Sequence, residues 1–248
     1  MHRGYEPPWL KREFGGMPNW GTLVVLAMLG AMVFFVISER AQTSADTGLM
    51  PAAEVTPRAS AAPSAVQAPE PTRVVAVSDS YTAGSAEDSG AESRWPASIG
   101  VEPIATSGVG YVQGGAEGSF VALAGEIPAG ATTVVFFGSR NDMSYGYDAV
   151  REGADAAFAT ALSIAPDATM IVIGPPWVDA DPPAEILTVR DAVSDAASAV
   201  EATWVDPIAE GWFVDDEQLI GSDGVHPTDA GHAFLAERIS EILAASRG

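Results

Sequence analysis

Of the three histidines in the 248 residues, His226 stands in Ser222-Asp223-Gly224-Val225-His226-Pro227-Thr228, three positions after a carboxylate. Gly224 lets the intervening turn fold tightly. The Asp223 carboxylate can then reach one ring nitrogen and leave the other free to act as a base. Such a base serves a nucleophile, and the chain has no Cys. Ser80, in Ser78-Asp79-Ser80-Tyr81, lies just past the nearly continuous apolar run Arg73–Val77. Hydroxyl attack needs a base for the proton, an orienter for that base and donors for the oxyanion. Ser80, His226 and Asp223 can fill the first three roles. The backbone N–H groups of Ser80 and Gly108 can fill the last, with the side-chain amide of Asn141, which donates without carrying charge.

Each residue taken alone has a plainer reading. Ser80 can be a turn serine, and Asn141-Asp142 and Asp223-Gly224 are ordinary turn dipeptides. Asp79 and Asp142 suit loop-holding hydrogen bonds, and His232, on the last helix, suits a structural or exposed place. What joins the candidates is their position between elements. Arg73–Val77, Thr132–Phe137 and Thr169–Ile173 are nearly continuous apolar runs, as strands covered on both faces require. Pro103–Thr106 and Thr203–Val205 are weaker strands. Tyr147–Ile164, Pro183–Glu201 and Thr228–Ala245 are Ala-rich segments of helical length. The last shows apolar residues at Phe234, Leu235, Ile239 and Leu243, with Thr228 placed to cap it. Strands alternating with helices predict a three-layer α/β/α domain around a parallel sheet. In such sheets ligands bind beyond the carboxyl ends of the strands, where Ser80, Gly108, Asn141 and Trp177 all fall.

The blocks that carry these residues resemble those of the SGNH (GDSL-type) hydrolases over about Arg73 to Ala245. VVAVSDSYTAGS looks like the first block, with Ser80 as nucleophile and its N–H in the oxyanion hole. Trp95-Pro96-Ala97 is similar to the start of the helix that often follows. ATSGVGY resembles the second block, its oxyanion glycine matched to Gly108, with Gly110 as the lesser choice. GSRND is similar to the Gly-x-Asn-Asp block with one extra residue and gives Asn141. SDGVHPT carries the Asp-x-x-His, giving Asp223 and His226. Ser78 departs from the pattern, which has Gly two residues before the nucleophile, and is expected to alter the turn or narrow the pocket. The Gly-x-Ser-x-Gly elbow of the α/β-hydrolases is absent. The resemblance implies a flavodoxin-like sheet and a serine esterase that needs no metal or organic cofactor.

The N-terminal part reads differently. Trp20 to Ser38 holds no charged residue, which is enough to span a bilayer core of about 30 Å. Arg3, Lys11 and Arg12 precede it, predicting a cytoplasmic N-terminus. The expected organisation is a tail at 1–19, a transmembrane anchor at 20–38, an Ala/Pro/Ser-rich linker at 39–72 and the hydrolase domain at 73–248. Cleavage of the anchor as a signal peptide, with Thr43 and Ala45 as the small residues, would make the protein secreted instead. From Arg73 onward there are 7 Arg, no Lys and 27 Asp+Glu, a net charge of −20. This excludes a nucleic-acid partner, which needs a basic face. The Ala, Pro and acid-rich composition suggests a high-GC bacterial source.

The function expected is that of a membrane-tethered extracellular hydrolase of ester-linked acyl groups, on a cell-envelope glycan or a lipid. Tyr81, Tyr111, Arg140 and Trp177 are the candidate substrate-lining residues. Two other readings use the same residues: an acyltransferase passing the acyl group to a surface glycan, and a catalytically silent surface-binding module.

Overall fold

The computed structural model describes residues 72–214 and 216–246, and separately a two-rung antiparallel ladder between Glu13–Phe14 and Met17–Pro18. The ladder belongs to a unit that ends at Val66. The anchor expected at 20–38 and all but the end of the linker lie outside the described residues. Among the described residues no helix is long and apolar enough to cross a membrane.

Five strands form the sheet of the second unit: β1 (Val74–Ser78), β2 (Glu102–Ala105), β3 (Thr133–Phe137), β4 (Thr169–Ile173) and β5 (Thr203–Val205). All pairs are parallel, in the order β2-β1-β3-β4-β5, which is the flavodoxin-like order. Side chains alternate between the two faces. Val75, Val77, Val134, Phe136 and Val172 pack on one side under α4 (Phe120–Ala124), α5 (Tyr147–Ile164) and α6 (Ala184–Ala199). Val74, Ala76, Val135, Phe137, Ile171 and Ile173 pack on the other. There they meet Trp95 of α2 (Trp95–Ile99), Trp212, Phe213 and the Leu235, Ile239 and Leu243 stripe of α7 (Asp229–Ala245). Both faces are therefore dry, which is why the strands read as unbroken apolar runs.

The expected strands and long helices agree with the structure to within one or two residues. The short elements were not expected: α1 (Ser80–Ala83), α3 (Gly115–Gly118) and the body of α4 are too brief to show a periodicity. Ser78 is the last residue of β1 and is fully buried. Its hydroxyl donates to Phe137 O at 2.8 Å and accepts from Thr82 Oγ1 at 2.7 Å. The serine thus ties β1 to β3 and to α1 beneath the site, turning inward to the protein.

Candidate active site

The chain leaves β1 to build β2 on one side and returns to build β3 on the other, so a crevice opens at the carboxyl ends of β1 and β3. Ser80 begins α1 there. Asp79 caps that helix, its Oδ1 accepting from Tyr81 N at 3.0 Å. Ser80 Oγ lies 3.0 Å from His226 Nε2, and His226 Nδ1 lies 2.6 Å from Asp223 Oδ2. The other oxygen, Asp223 Oδ1, accepts from Val225 N at 2.8 Å and His226 N at 2.9 Å. Partial burial pulls the Asp223 carboxyl upward. The His226 and backbone hydrogen bonds outweigh it and hold the group at about 2. An anionic acceptor at Nδ1 fixes the tautomer that leaves Nε2 open toward the serine hydroxyl.

The loop carrying the histidine is held from several directions. Gly224 adopts a φ of 68°, and Gly221 N donates to His226 O at 2.8 Å. Thr228 accepts from Gly231 N at the start of α7, as its capping role predicts. Glu87 accepts from the Ser222 N–H at 3.0 Å and the Ser222 hydroxyl at 3.1 Å. Ser89 N donates to Asp229 at 2.8 Å. The segment after Ser80 therefore clasps the segment that carries His226. Spacing gives no sign of these braces, because each joins residues more than 130 positions apart.

Tyr81 completes the clasp, and here an expectation is corrected. Its ring is 1% exposed and packs against Phe137 and Phe213, so it is a core residue and does not line a cleft. Its hydroxyl donates to Val225 O at 2.5 Å, one residue before His226. Tyr81→Phe is expected to destabilise the fold by about 1 kcal/mol, the net worth of one buried hydrogen bond. It should also lower kcat several-fold by loosening the loop. Denaturant unfolding beside steady-state kinetics checks both.

Tyr111 is corrected in the same way. It is 1% exposed, wedged among Phe120, Phe136 and Phe158. An aromatic in the loop after a strand can turn into the core or toward the solvent, and adjacent residues do not reveal which. Arg140 and Trp177 do come together, with Arg140 Cζ 4.2 Å from the indole centroid. His232 is fully buried, with Nε2 3.6 Å from Asp88 Oδ2, and has a structural place.

On the oxyanion side the two glycines behave differently. Gly110 N already donates to Gln113 O at 2.9 Å. A Cβ there would meet Asp142 Oδ2 and Ser139 Oγ at 2.5 Å, so the glycine exists for close approach. Asp142 is the reason for that approach: its carboxylate accepts from Tyr111 N at 2.7 Å, Gln113 N at 2.8 Å and Val112 N at 3.2 Å. Among the described residues, the N–H groups of Ser80 and Gly108 meet no acceptor. Asn141 Nδ2 donates to Val109 O at 2.7 Å, which anchors the amide, and only weakly to Asp79 Oδ2 at 3.4 Å. Its second hydrogen is left with only that weak Asp79 contact.

Asp79 is fully buried beside this amide. Burial is the main cause that pushes its carboxyl from 3.8 up to about 7, against the Tyr81 N–H bond, with Asp142 adding to the rise. The native state then holds a proton that the unfolded chain releases between pH 4 and 7. Stability must fall as pH rises through that window, in total by about 4 kcal/mol. Asp79→Asn keeps a capping oxygen and removes the titration. Melting temperatures at pH 5 and pH 8 should therefore diverge less in the variant than in the parent chain.

The chain thus presents a serine, an imidazole and a carboxylate linked in series at the carboxyl edge of a flavodoxin-like parallel sheet. That arrangement is suited to acyl transfer through a serine. A profile of the GDSL-like lipase/acylhydrolase family matches residues 79–234, and the chain belongs to that family and is an esterase of the SGNH type. It is 37% identical over 186 residues to GDSL lipase Rv0518 of Mycobacterium tuberculosis, covering 68% of this chain and 80% of that one. The crystal structure of TesA shares the fold at a TM-score of 0.58 and 19% identity, covering 71% of this chain and 99% of that chain. A family two carbohydrate esterase from Clostridium thermocellum, solved with cellohexaose, aligns at a TM-score of 0.57 and 17% identity. That alignment covers 72% of this chain and 65% of the other.

Proposed function

We propose that Ser80 is the nucleophile of this esterase, His226 its general base and acid, and Asp223 the residue that orients the imidazole. The observation that carries the reading is the unbroken hydrogen-bonded series from Ser80 Oγ through His226 to Asp223. Ser80 Oγ attacks the ester carbonyl carbon while Nε2 takes the hydroxyl proton. The oxyanion meets the N–H groups of Ser80 and Gly108 and the second hydrogen of Asn141. Gly110 is set aside because its N–H is engaged with Gln113 O. Collapse of the intermediate breaks the ester bond, and Nε2 returns the proton to the departing alcohol. Water then enters by the same route, releasing the acid and restoring Ser80.

The substrate proposed is an acyl ester on a cell-envelope glycan or lipid. A lipase among the relatives and a carbohydrate esterase among the structural neighbours support both classes. The uncharged stretch Trp20–Ser38 and the linker at 39–72 support a membrane-tethered enzyme with its hydrolase domain outside the cell. Deletion of residues 1–38 should then move the protein from the membrane fraction to the soluble one.

The test of the chemistry is to follow hydrolysis of p-nitrophenyl acetate, butyrate and octanoate by the full chain, then to treat it with a fluorophosphonate. Turnover should stop as one equivalent adds at Ser80, located by peptide mass. Turnover that persists after labelling, or labelling of another serine that alone stops it, would overturn the assignment.

A further inference from the structure

Arg140 stands apart from the other arginines. Arg73 pairs with Glu102, Arg94 with Asp88, Arg151 with Asp155 and Arg190 with Asp191. Arg238 pairs with Glu210 and Glu241. Among the described residues, Arg140 is the one arginine with no carboxylate within ion-pair distance. Acids are not scarce: from Arg73 onward 27 of them face 7 arginines.

The guanidinium is also left with an unmet donor. Its Nη1 is buried without an acceptor, and so is Nε1 of Trp177, against which the guanidinium is stacked. Both groups only donate, and an unmet buried donor is costly. A stack serving structure alone would be as well made by an apolar side chain, which leaves nothing unmet.

The place of the pair is informative. Arg140 leaves the end of β3 directly before Asn141, and Trp177 lies on the loop after β4. The charge of Arg140 reaches Tyr81 and Asp79, the two residues that flank Ser80. Asp79 is not the missing partner: Arg140 acts on it only as a charge that opposes the effect of burial, and no ion pair joins the two. Two donors without acceptors therefore stand at the carboxyl edge of the sheet, and the charged one acts on both chain neighbours of Ser80.

We infer that Arg140, backed by Trp177, receives an anionic group of the substrate, so that the favoured ester carries a carboxylate or phosphate near its scissile bond. The inference rests on Ser80 as nucleophile and narrows the substrate class. A guanidinium fork matches two oxygens of either anion, and stacking on an indole orients the fork without neutralising it.

Matched esters test this on the full chain. p-Nitrophenyl butyrate against p-nitrophenyl hemisuccinate places the charge on the acyl side. Phenyl acetate against its 4-carboxyphenyl and 4-phosphonooxyphenyl counterparts places it on the alcohol side and separates the two anions. The kcat/KM ratio of anionic to neutral ester is formed within each protein, so a general loss of activity divides out. For one side at least, Arg140→Gln should lower that ratio by about 10- to 100-fold, mainly through KM, as loss of a charged hydrogen bond implies. Arg140→Lys should recover part of it. Ratios equal in parent and variant on both sides would overturn the inference while Ser80-dependent turnover leaves the hydrolase standing. Calorimetric binding of the same esters to the Ser80→Ala chain reads the site without turnover. An Arg140-dependent preference for anions there, with no turnover in the parent chain, would support the anion site and sink the hydrolase reading.

Discussion

Replacing Ser80 by Ala is expected to lower kcat on p-nitrophenyl esters by roughly 10⁶-fold, the usual cost of removing the nucleophile from such a set. The loss should fall almost wholly on kcat. Alanine removes one hydroxyl and its 3.0 Å contact with His226 Nε2. The cap of α1 is untouched, because Asp79 Oδ1 bonds the backbone of Tyr81 and not the serine side chain. The histidine loop keeps its bonds to Asp223, Glu87 and Tyr81. Stability should therefore change by less than about 1 kcal/mol. A residual rate about 10³-fold above that in water is expected, since the oxyanion donors remain. Equal turnover in the variant would remove Ser80 from the chemistry; unfolding of the variant would contradict the local hydrogen-bond pattern.

Asp223→Asn should cost about 10⁴-fold in kcat, as loss of the orienting carboxylate does in comparable serine enzymes, and the reason can be followed atom by atom. Asp223 uses one oxygen for two backbone N–H groups, of Val225 and His226, and the other for Nδ1. Asparagine has a single oxygen, and two fixed amides claim it. Its NH₂ then faces Nδ1, which must become an acceptor. The ring proton moves to Nε2 and points at the serine that needs a base. The loop survives because both backbone bonds are kept, so KM and the far-ultraviolet circular dichroism should be nearly unchanged. NMR of the ring nitrogens would show the exchanged tautomer directly.

Much of this fold could be read from the sequence where one rule dominates. A strand dry on both faces has to be apolar throughout, so Thr169–Ile173 was expected with its observed bounds. Tyr147–Ile164 was likewise expected in full, as an Ala-rich segment of helical length. The catalytic candidates were legible because strand ends in a parallel sheet converge by topology, and because Asp-x-x-His is a local geometry that its own loop can close. Tyr81 and Tyr111 were misplaced since a single aromatic after a strand has no period to show which way it faces. The grip of Glu87 on Ser222 was invisible for a different cause: it joins two loops 135 positions apart, and nothing in either loop names the other. Arg140 was legible as a residue of interest, but its lack of a partner is a property of the space around it.

The two halves of the site also enter the world at different times. Ser80 precedes His226 by 146 positions. At roughly 5–20 residues per second, a ribosome delivers the serine about 7–30 seconds before the imidazole. Through that interval the growing chain carries a hydroxyl with nothing to activate it. On the proposed roles, the turn that carries His226 acts as a delayed key: Ser80 cannot attack an ester until synthesis has passed that turn.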